Sequence, residues 1–378
     1  MAILKNSKVL PLRLKGDNFE IGRGLGRYWG DYFGNLNKIS KRNECLYGKY
    51  KDWLQDSEID EGRGRFLTNM VQHFPALFDE LVGMNVGINE SNIGFNTSLF
   101  GLFTCWLGET DEEYLNCSGC STVLLPIKNG FYLAHSDEES DDKFKQLPLV
   151  VADVSLETDD KHAHFISISH PFQLFGSAVG MNHNLAFQGN SITYNEEISR
   201  KLEKTWEKRI PKTVFTRMML EMSGIKEIKA LYNNYGSTLP NHHYVVFRDK
   251  AYSIEVKPTD KKELIVCEME GEEAYIHTNH FLKDDSGKWV DEYKNESPAR
   301  LKFLKEKING VKSAEEIQRI FQEFLEEYLS GIPKNKLINR TSGAFFFTVE
   351  QDKPLSCEGE LYFDNNSFSA STRKEKPC

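Results

Sequence analysis

One stretch constrains the fold of this chain more than any other: Asn116-Cys-Ser-Gly-Cys-Ser-Thr-Val-Leu-Leu-Pro-Ile-Lys-Asn-Gly-Phe-Tyr-Leu-Ala-His-Ser-Asp-Glu138. Ser121 to Ile127 is β-branched and aliphatic, which suits a strand. Lys128-Asn129-Gly130 is a turn signal, because Asn-Gly supplies the positive φ that a tight hairpin needs. Phe131 to Ala134 returns as a second strand, and His135-Ser136-Asp137-Glu138 forms a polar cluster at its far end. The hairpin thus brings a cysteine at the head of one strand toward acidic and hydroxyl groups at the end of the next. That arrangement suits a nucleophile and its helpers.

Cys117 and Cys120 also form a Cys-x-x-Cys pair, which on its own suggests a redox dithiol or half of a zinc site. A redox pair is expected to open a helix, whose N-terminus lowers the thiol pKa. Here Ser-Thr-Val-Leu-Leu follows, which is strand. A structural zinc site needs a second ligand pair at metal spacing, and the sequence contains no second Cys-x-x-Cys. The spacing predicts no bound metal and no cofactor.

Ahead of the hairpin the chain reads as helical. Lys8 to Leu14 alternates like a strand, and Asp17 with Glu20 then forms a capping pattern that predicts a helix from about Asn18. Gly22, Gly26 and Gly30 repeat at i+4 inside it, which points to close helix packing rather than a phosphate loop. Helical periodicity continues over Tyr28–Leu54 and Arg63–Val86, with Phe66, Met70, Phe74 and Leu77 on one stripe. After the hairpin, strands are expected at Leu147–Leu156 and His162–Ser169, and a further hairpin at Ala178–Ile192. Glu196–Tyr235 reads as helices broken near Pro211 and Gly224. Strands follow at His243–Arg248, Ala251–Val256, Leu264–Met269 and Ala274–His277, then helices at Ser297–Asn309 and Ser313–Leu329. Ala344–Glu350 and Leu355–Phe363 close the strand set, and the polar tail from Asn365 is expected to be disordered. Blocks of helices alternating with blocks of strands exclude a parallel βαβ sheet. Two antiparallel sheets packed face to face with helices outside satisfy the order, giving an α+β fold.

A net charge of −9 makes nucleic acid and anionic membrane poor general partners. The most apolar run, Leu99–Leu107, is too short to span a bilayer. Met1–Lys8 carries no apolar run like that of a secretory leader, and seven scattered cysteines suit a reducing compartment. These features predict a cytoplasmic chain.

Gly119-Cys120-Ser121-Thr122, then Gly130, then Ala134-His135-Ser136-Asp137-Glu138 resembles the acyl-coenzyme A:6-aminopenicillanate acyltransferase family of N-terminal nucleophile (Ntn) hydrolases. The family's usual run is Gly-Cys-Thr-Thr, a Gly, and His-Asn-Glu-Asp. Ser136 stands here in place of the usual Asn, and Glu138 in place of the usual Asp. The Gly16-x-x-Phe19-Glu20-Ile21-Gly22 opening is similar to the family's start. Gly180-Met-Asn182 with Gly189-Asn-Ser191, and Thr278-Asn-His-Phe281, are similar to later family segments. The resemblance implies a four-layer αββα sandwich. It also implies that residues 1–119 are a helical N-terminal portion (pro-segment, or α chain) and 120–378 the catalytic β chain of one domain.

The resemblance implies a cut between Gly119 and Cys120. Cys120 would then carry a free α-amine beside its own thiol, so one residue supplies base and nucleophile. It assigns Asn279 to the oxyanion, Thr122 and Glu138 to the new amine, and Ser136, Asn190, His242 and Arg340 to substrate. The implied substrate is a small N-acyl compound, a linear amide cleaved or transferred through a Cys120 thioester, with acyl-coenzyme A the donor a transferase would use. No phosphate-loop motif argues for holding that donor tightly, and hydrolysis is the default because a transferase must exclude water. Two other readings stay open: a catalytically silent binding protein on the same fold, and a thiol-redox protein using Cys117 and Cys120. Homo-oligomer formation is left open as well.

Overall fold

The computed structural model describes residues 7–8, 10–36, 48, 51–52, 54–56, 61–107, 118–140, 149–159, 161–177, 179–192, 209–257, 263–282, 296–321, 339–351, 353–361 and 366–371. Among the described residues, fifteen strands form two sheets. The first runs, in spatial order, β1 (Ser7–Lys8), β15 (Asn366–Ser371), β14 (Ser356–Leu361), β13 (Asn339–Glu350), β4 (Gly130–Ser140), β3 (Ser118–Ile127) and β12 (Tyr275–His277). The second runs β11 (Glu263–Glu268), β10 (Ala251–Lys257), β9 (Asn241–Phe247), β8 (Leu185–Ser191), β7 (Val179–Asn182), β6 (Lys161–Ser169), β5 (Val150–Thr158) and β2 (Leu12–Gly16). Neighbouring strands are antiparallel except at two edges, where β1 pairs with β15 and β2 with β5 in parallel.

Those edges correct two expectations. The strand expected over Lys8–Leu14 is two strands in different sheets, separated at Pro11, which has no N–H to give a ladder. The expected disordered tail contains β15, which pairs with β14 from Ser356↔Ser371 to Leu361↔Asn366. Its short Ser/Asn-rich sequence reads as polar tail, yet it is paired on both sides, by β14 and by β1. Residues ahead of Cys120 are accordingly not only helical, since they also supply β1, β2 and the first two residues of β3.

The described helices are α1 (Asn18–Leu36), α2 (Glu61–His73), α3 (Pro75–Asn89), α4 (Leu99–Leu107), α5 (Lys212–Met219), α6 (Ile225–Tyr235), α7 (Glu296–Ile308) and α8 (314–321). Asp17 caps α1 as expected, its Oδ1 accepting the Glu20 N–H at 2.9 Å. The glycine repeat marks the crossing of α1 and α3. A Cβ at Gly26 would lie 2.1 Å from the Met84 carbonyl oxygen, and one at Gly83 would lie 2.0 Å from that of Phe19. Much of the expected Tyr28–Leu54 helix, and the helix start at Glu196, lie outside the described residues.

Three apolar clusters hold the described sheets and helices together. Ile21, Leu25 and Trp29 of α1 pack with Leu81 and Met84 of α3, Val214 and Phe215 of α5, and Val154, Phe165, Leu185 and Val245 of the eight-stranded sheet. The alternate residues of that sheet, including Val151, Ile166, Met181 and Val246, meet Leu124, Leu133, Phe345 and Phe347 of the seven-stranded sheet. Val123, Leu125, Ala134 and Phe346, on the far face of that sheet, pack against Leu301, Leu304 and Ile308 of α7 and Ile317 and Phe321 of α8. Strand alternation gives each sheet two apolar faces, and each fully buried large apolar side chain contributes about 1.5–3 kcal/mol. The layer between the sheets is apolar only in part. Its other part holds Thr122, His135, Asp137, Asn190, His242 and His277, all buried.

Candidate active site

The hairpin that carries Cys120 has a two-residue loop, and Ile127 pairs with Gly130. Gly130 takes φ +156°, and a Cβ there would come within 1.9 Å of the Val349 carbonyl oxygen. Counting back in step from that pair brings Cys120 opposite Asp137, Ser121 opposite Ser136 and Thr122 opposite His135. Cys120, Thr122, His135 and Asp137 share the face toward the second sheet, the face of Leu124 and Leu133. The Gly119–Cys120 bond lies within the paired strand, with Gly119 opposite Glu138.

Both ends of Cys120 are engaged. Its Sγ lies 3.6 Å from Asp137 Oδ1. Its backbone N–H donates to Asn279 Oδ1 at 2.9 Å, across 159 residues of chain. Arg300 of α7 fixes that contact, donating from Nη2 to Asn279 Oδ1 (2.6 Å) and from Nη1 to Cys120 O and Ser121 Oγ (each 2.9 Å). Arg300 is 3% exposed, so its charge is spent on these partners rather than on water. Asn279 is held from behind by Ser297, whose Oγ accepts the Asn279 N–H at 2.8 Å.

Asp137 is buried with His170 Nε2 lying 3.2 Å from its Oδ2. Burial alone would raise the Asp137 pKa, but the attraction of His170, with smaller help from His135 and Lys212, holds it below the usual carboxylate range. His170 begins a loop whose backbone is tied down by Ser167, Ser169 and Ser177. Phe172 of that loop adopts φ 58°, an unfavourable left-handed conformation for a bulky residue. Its ring is buried 5.0 Å from that of Phe33 and 6.2 Å from that of Trp29, both on α1. The N-terminal helix therefore helps to seat the loop that carries His170.

Thr122 Oγ1 donates to Asn190 Oδ1 at 2.8 Å and lies 2.9 Å from His135 Nδ1. With its proton given to Asn190, the hydroxyl accepts from His135, which keeps the imidazole proton on Nδ1. Burial drives the His135 pKa down to about 4, so the ring is neutral near pH 7. Asn190 Nδ2 is buried with no hydrogen-bond partner among the described residues. His242 stacks on His277 at 3.5 Å with rings 3° apart, and its Nε2 lies 2.9 Å from Ser253 Oγ. Burial, then the neighbouring His277 and His243, push its pKa well below the ordinary value.

The structure thus gathers Cys120, Thr122, Asn190, Asn279 and His242 into one layer. The Thr122 hydroxyl, expected to orient the new amine, spans His135 and Asn190 in the uncut chain, one step along the strand face from Cys120. Asn279 Oδ1 accepts from the Cys120 N–H, and its Nδ2 donates to Ser191 O at 2.7 Å. Ser136 lies on the α7 side of its sheet, in register with Ser121, away from the thiol's face. Glu138 and Arg340 have described backbone only, opposite Gly119 and Glu139 respectively, and their side chains lie outside what is described, as does Cys117. Sequence reasoning does not single out Asp137, His170 or Arg300 as catalytic. The two-residue turn is the available signal for Asp137, since it alone sets the register; nothing local marks His170 or Arg300.

A model of the acyl-coenzyme A:6-aminopenicillanic acid acyl-transferase family matches residues 142–349, more than half of the chain. The chain belongs to that family. The matched span includes Asn190, Asn279 and Arg300. The β-alanyl-dopamine/carcinine hydrolase of Drosophila melanogaster is 24% identical over 302 residues, covering 74% of this chain and 75% of the fly protein. An N-acylethanolamine-hydrolyzing acid amidase ortholog of Caenorhabditis elegans aligns in structure at a TM-score of 0.41 and 15% identity, over 61% of this chain and 93% of that one. Family membership makes the chain an enzyme of the Ntn amide hydrolase and acyl-transferase class. Among the described residues no helix is long and apolar enough to cross a membrane.

Proposed function

We infer that this family member is a self-processing cysteine amidohydrolase, cut between Gly119 and Cys120, that acts on small linear amides through a Cys120 thioester. The observation that carries this reading is that one residue presents both atoms to the site, its nitrogen to Asn279 and its sulfur to Asp137. In the uncut chain the thiol attacks the Gly119 carbonyl carbon, the acyl group shifts from nitrogen to sulfur, and water releases the Gly119 carboxylate. The new α-amine, with an unperturbed pKa of roughly 7.7–8.0, replaces an amide that has no basicity. Asn279 Oδ1, held by Arg300, then accepts a hydrogen bond from that amine and keeps its lone pair aimed at the thiol.

In turnover the thiol gives its proton to the amine and attacks the substrate carbonyl carbon. The tetrahedral oxyanion needs a donor, and the buried Asn190 Nδ2 has hydrogen-bonding capacity left over. The substrate amine leaves with the proton, and water resolves the thioester to the free acid and the thiol. A second amine in place of water would make the same site a transferase. Likeness to the fly enzyme favours an N-acyl amine of β-alanyl type as substrate. The two chains stay together as one domain, and seven scattered cysteines suit a reducing, cytoplasmic setting. Intact-mass analysis of the wild type beside Cys120→Ala tests the cut. A small and a large fragment, the latter beginning at Cys120 and absent from the variant, is the expected result. Two uncut chains would overturn the free-amine mechanism.

A further inference from the structure

Cys120, His135 and Asp137 bring together one sulfur, one ring nitrogen and one carboxylate oxygen, all buried and all within 4.8 Å of one another. Two ligands at about 2.3 Å (sulfur) and 2.1 Å (oxygen) from a tetrahedral zinc ion stand about 3.6 Å apart. Cys120 Sγ and Asp137 Oδ1 are already 3.6 Å apart. The remaining edges, each within 4.8 Å, need to close by up to about 1.4 Å to reach the same geometry. The outer contacts that orient metal ligands are also present. His170 lies against the other oxygen of Asp137, and Thr122 accepts from His135 Nδ1, which fixes the ring. Cys120 and Asp137 retain 6% and 5% exposure, so the cluster is not sealed.

We propose that Cys120, His135 and Asp137 form an inhibitory site for zinc or a similar borderline-soft divalent cation. Binding replaces the thiol proton, which passes to solvent, and the metal–thiolate bond removes the nucleophile. The ion is therefore a regulator that competes with chemistry, not a cofactor. The inference rests on reading Cys120 as the reactive thiol, but the three side chains are the same before and after any cut. A cut at Gly119–Cys120 adds the α-amine as a fourth ligand, closing a five-membered chelate with the sulfur, so the processed form binds more tightly than the precursor.

The test is anaerobic competition of the reduced full-length chain against a chromogenic zinc indicator. One zinc per chain is expected. Binding falls at least roughly tenfold in His135→Gln and in Asp137→Asn, is lost in Cys120→Ala, and is unchanged in Cys117→Ser. Cadmium in place of zinc should give a thiolate charge-transfer band on the wild type that Cys120→Ala lacks, which decides the matter even where a His135 variant fails to fold. Zinc retained by Cys120→Ala, or no thiolate band at one equivalent, would overturn the proposal. Intact mass on the same samples separates the two readings. A chain that binds zinc through Cys120 without cutting keeps this inference and loses the self-processing one, and a chain that cuts without binding zinc does the reverse.

Discussion

Glu80 of α3 and Arg217 of α5 form an ion pair with both side chains at 0% exposure. Arg217 reaches Glu80 with Nε at 3.0 Å and Nη2 at 2.9 Å from Oε2, and its Nη1 lies 2.5 Å from Glu221 Oε1. Asn18 Nδ2 adds a weak contact to Glu80 at 3.5 Å, and the guanidinium lies over the Phe165 ring. Glu80→Ala removes the main counter-charge and strands a buried guanidinium that, among the described residues, Glu221 partly neutralises. Breaking one side of such a pair costs about 3–5 kcal/mol, whereas replacing both sides with apolar groups is often neutral or stabilising. At a urea slope of about 3 kcal/mol/M, Glu80→Ala should lower the denaturation midpoint by about 1 M or more. Glu80→Leu with Arg217→Met should recover most of that loss. A Glu80→Ala midpoint within about 0.3 M of wild type, or a double variant no better than the single, would refute the argument that burial makes this pair costly to break.

Acidification gives a second prediction. Burial lowers the pKa of His135 to about 4 and of His243 to about 3, against 6.5 for an unfolded imidazole. The unfolded chain binds the extra protons first, so this stability is complete above pH 6.5 and is lost as pH falls toward the folded values, by roughly 2 kcal/mol per histidine at pH 5. Thermal midpoints measured at pH 7, 6 and 5 should fall in that order, and a flat series would contradict it. Arg300→Lys keeps a positive charge but not the fork that joins Cys120 O, Ser121 Oγ and Asn279 Oδ1. Self-cleavage or amide hydrolysis should fall on the order of 100-fold with the far-ultraviolet circular dichroism retained; full activity would remove Arg300 from the site. Gly26→Val sets its Cβ 2.1 Å from the Met84 carbonyl oxygen, and should destabilise the fold by at least about 1–3 kcal/mol in calorimetry.

The hairpin, the Asp17 cap and the α1 glycines were legible because each depends on residues within a few positions of one another. Asp137 was within reach of the same reasoning. A two-residue loop sets the strand register, and the register, rather than the polarity of the cluster, decides which acidic residue faces Cys120. Arg300 was not legible, since a helix-borne arginine acquires meaning only when α7 packs on β3, about 180 residues away in sequence. The parallel edges were lost for a related reason. β1 meets β15, and β2 meets β5, across chain separations that no local periodicity records.

Under the proposed cut at Gly119–Cys120, the packing of α1 and α3 into the core of the eight-stranded sheet would take on a different meaning. Before the cut, the covalent link keeps the N-terminal helices at a high effective concentration beside the sheet, and an unfolded molecule refolds as one chain. Afterwards the same contacts form a bimolecular interface as extensive as a domain core. An unfolding event then releases two fragments that must find each other again, at a rate that depends on dilution. Processing would leave the native arrangement unchanged while making its loss effectively one-way. The mature enzyme's lifetime would then be set by the height of its unfolding barrier rather than by the depth of its folded state.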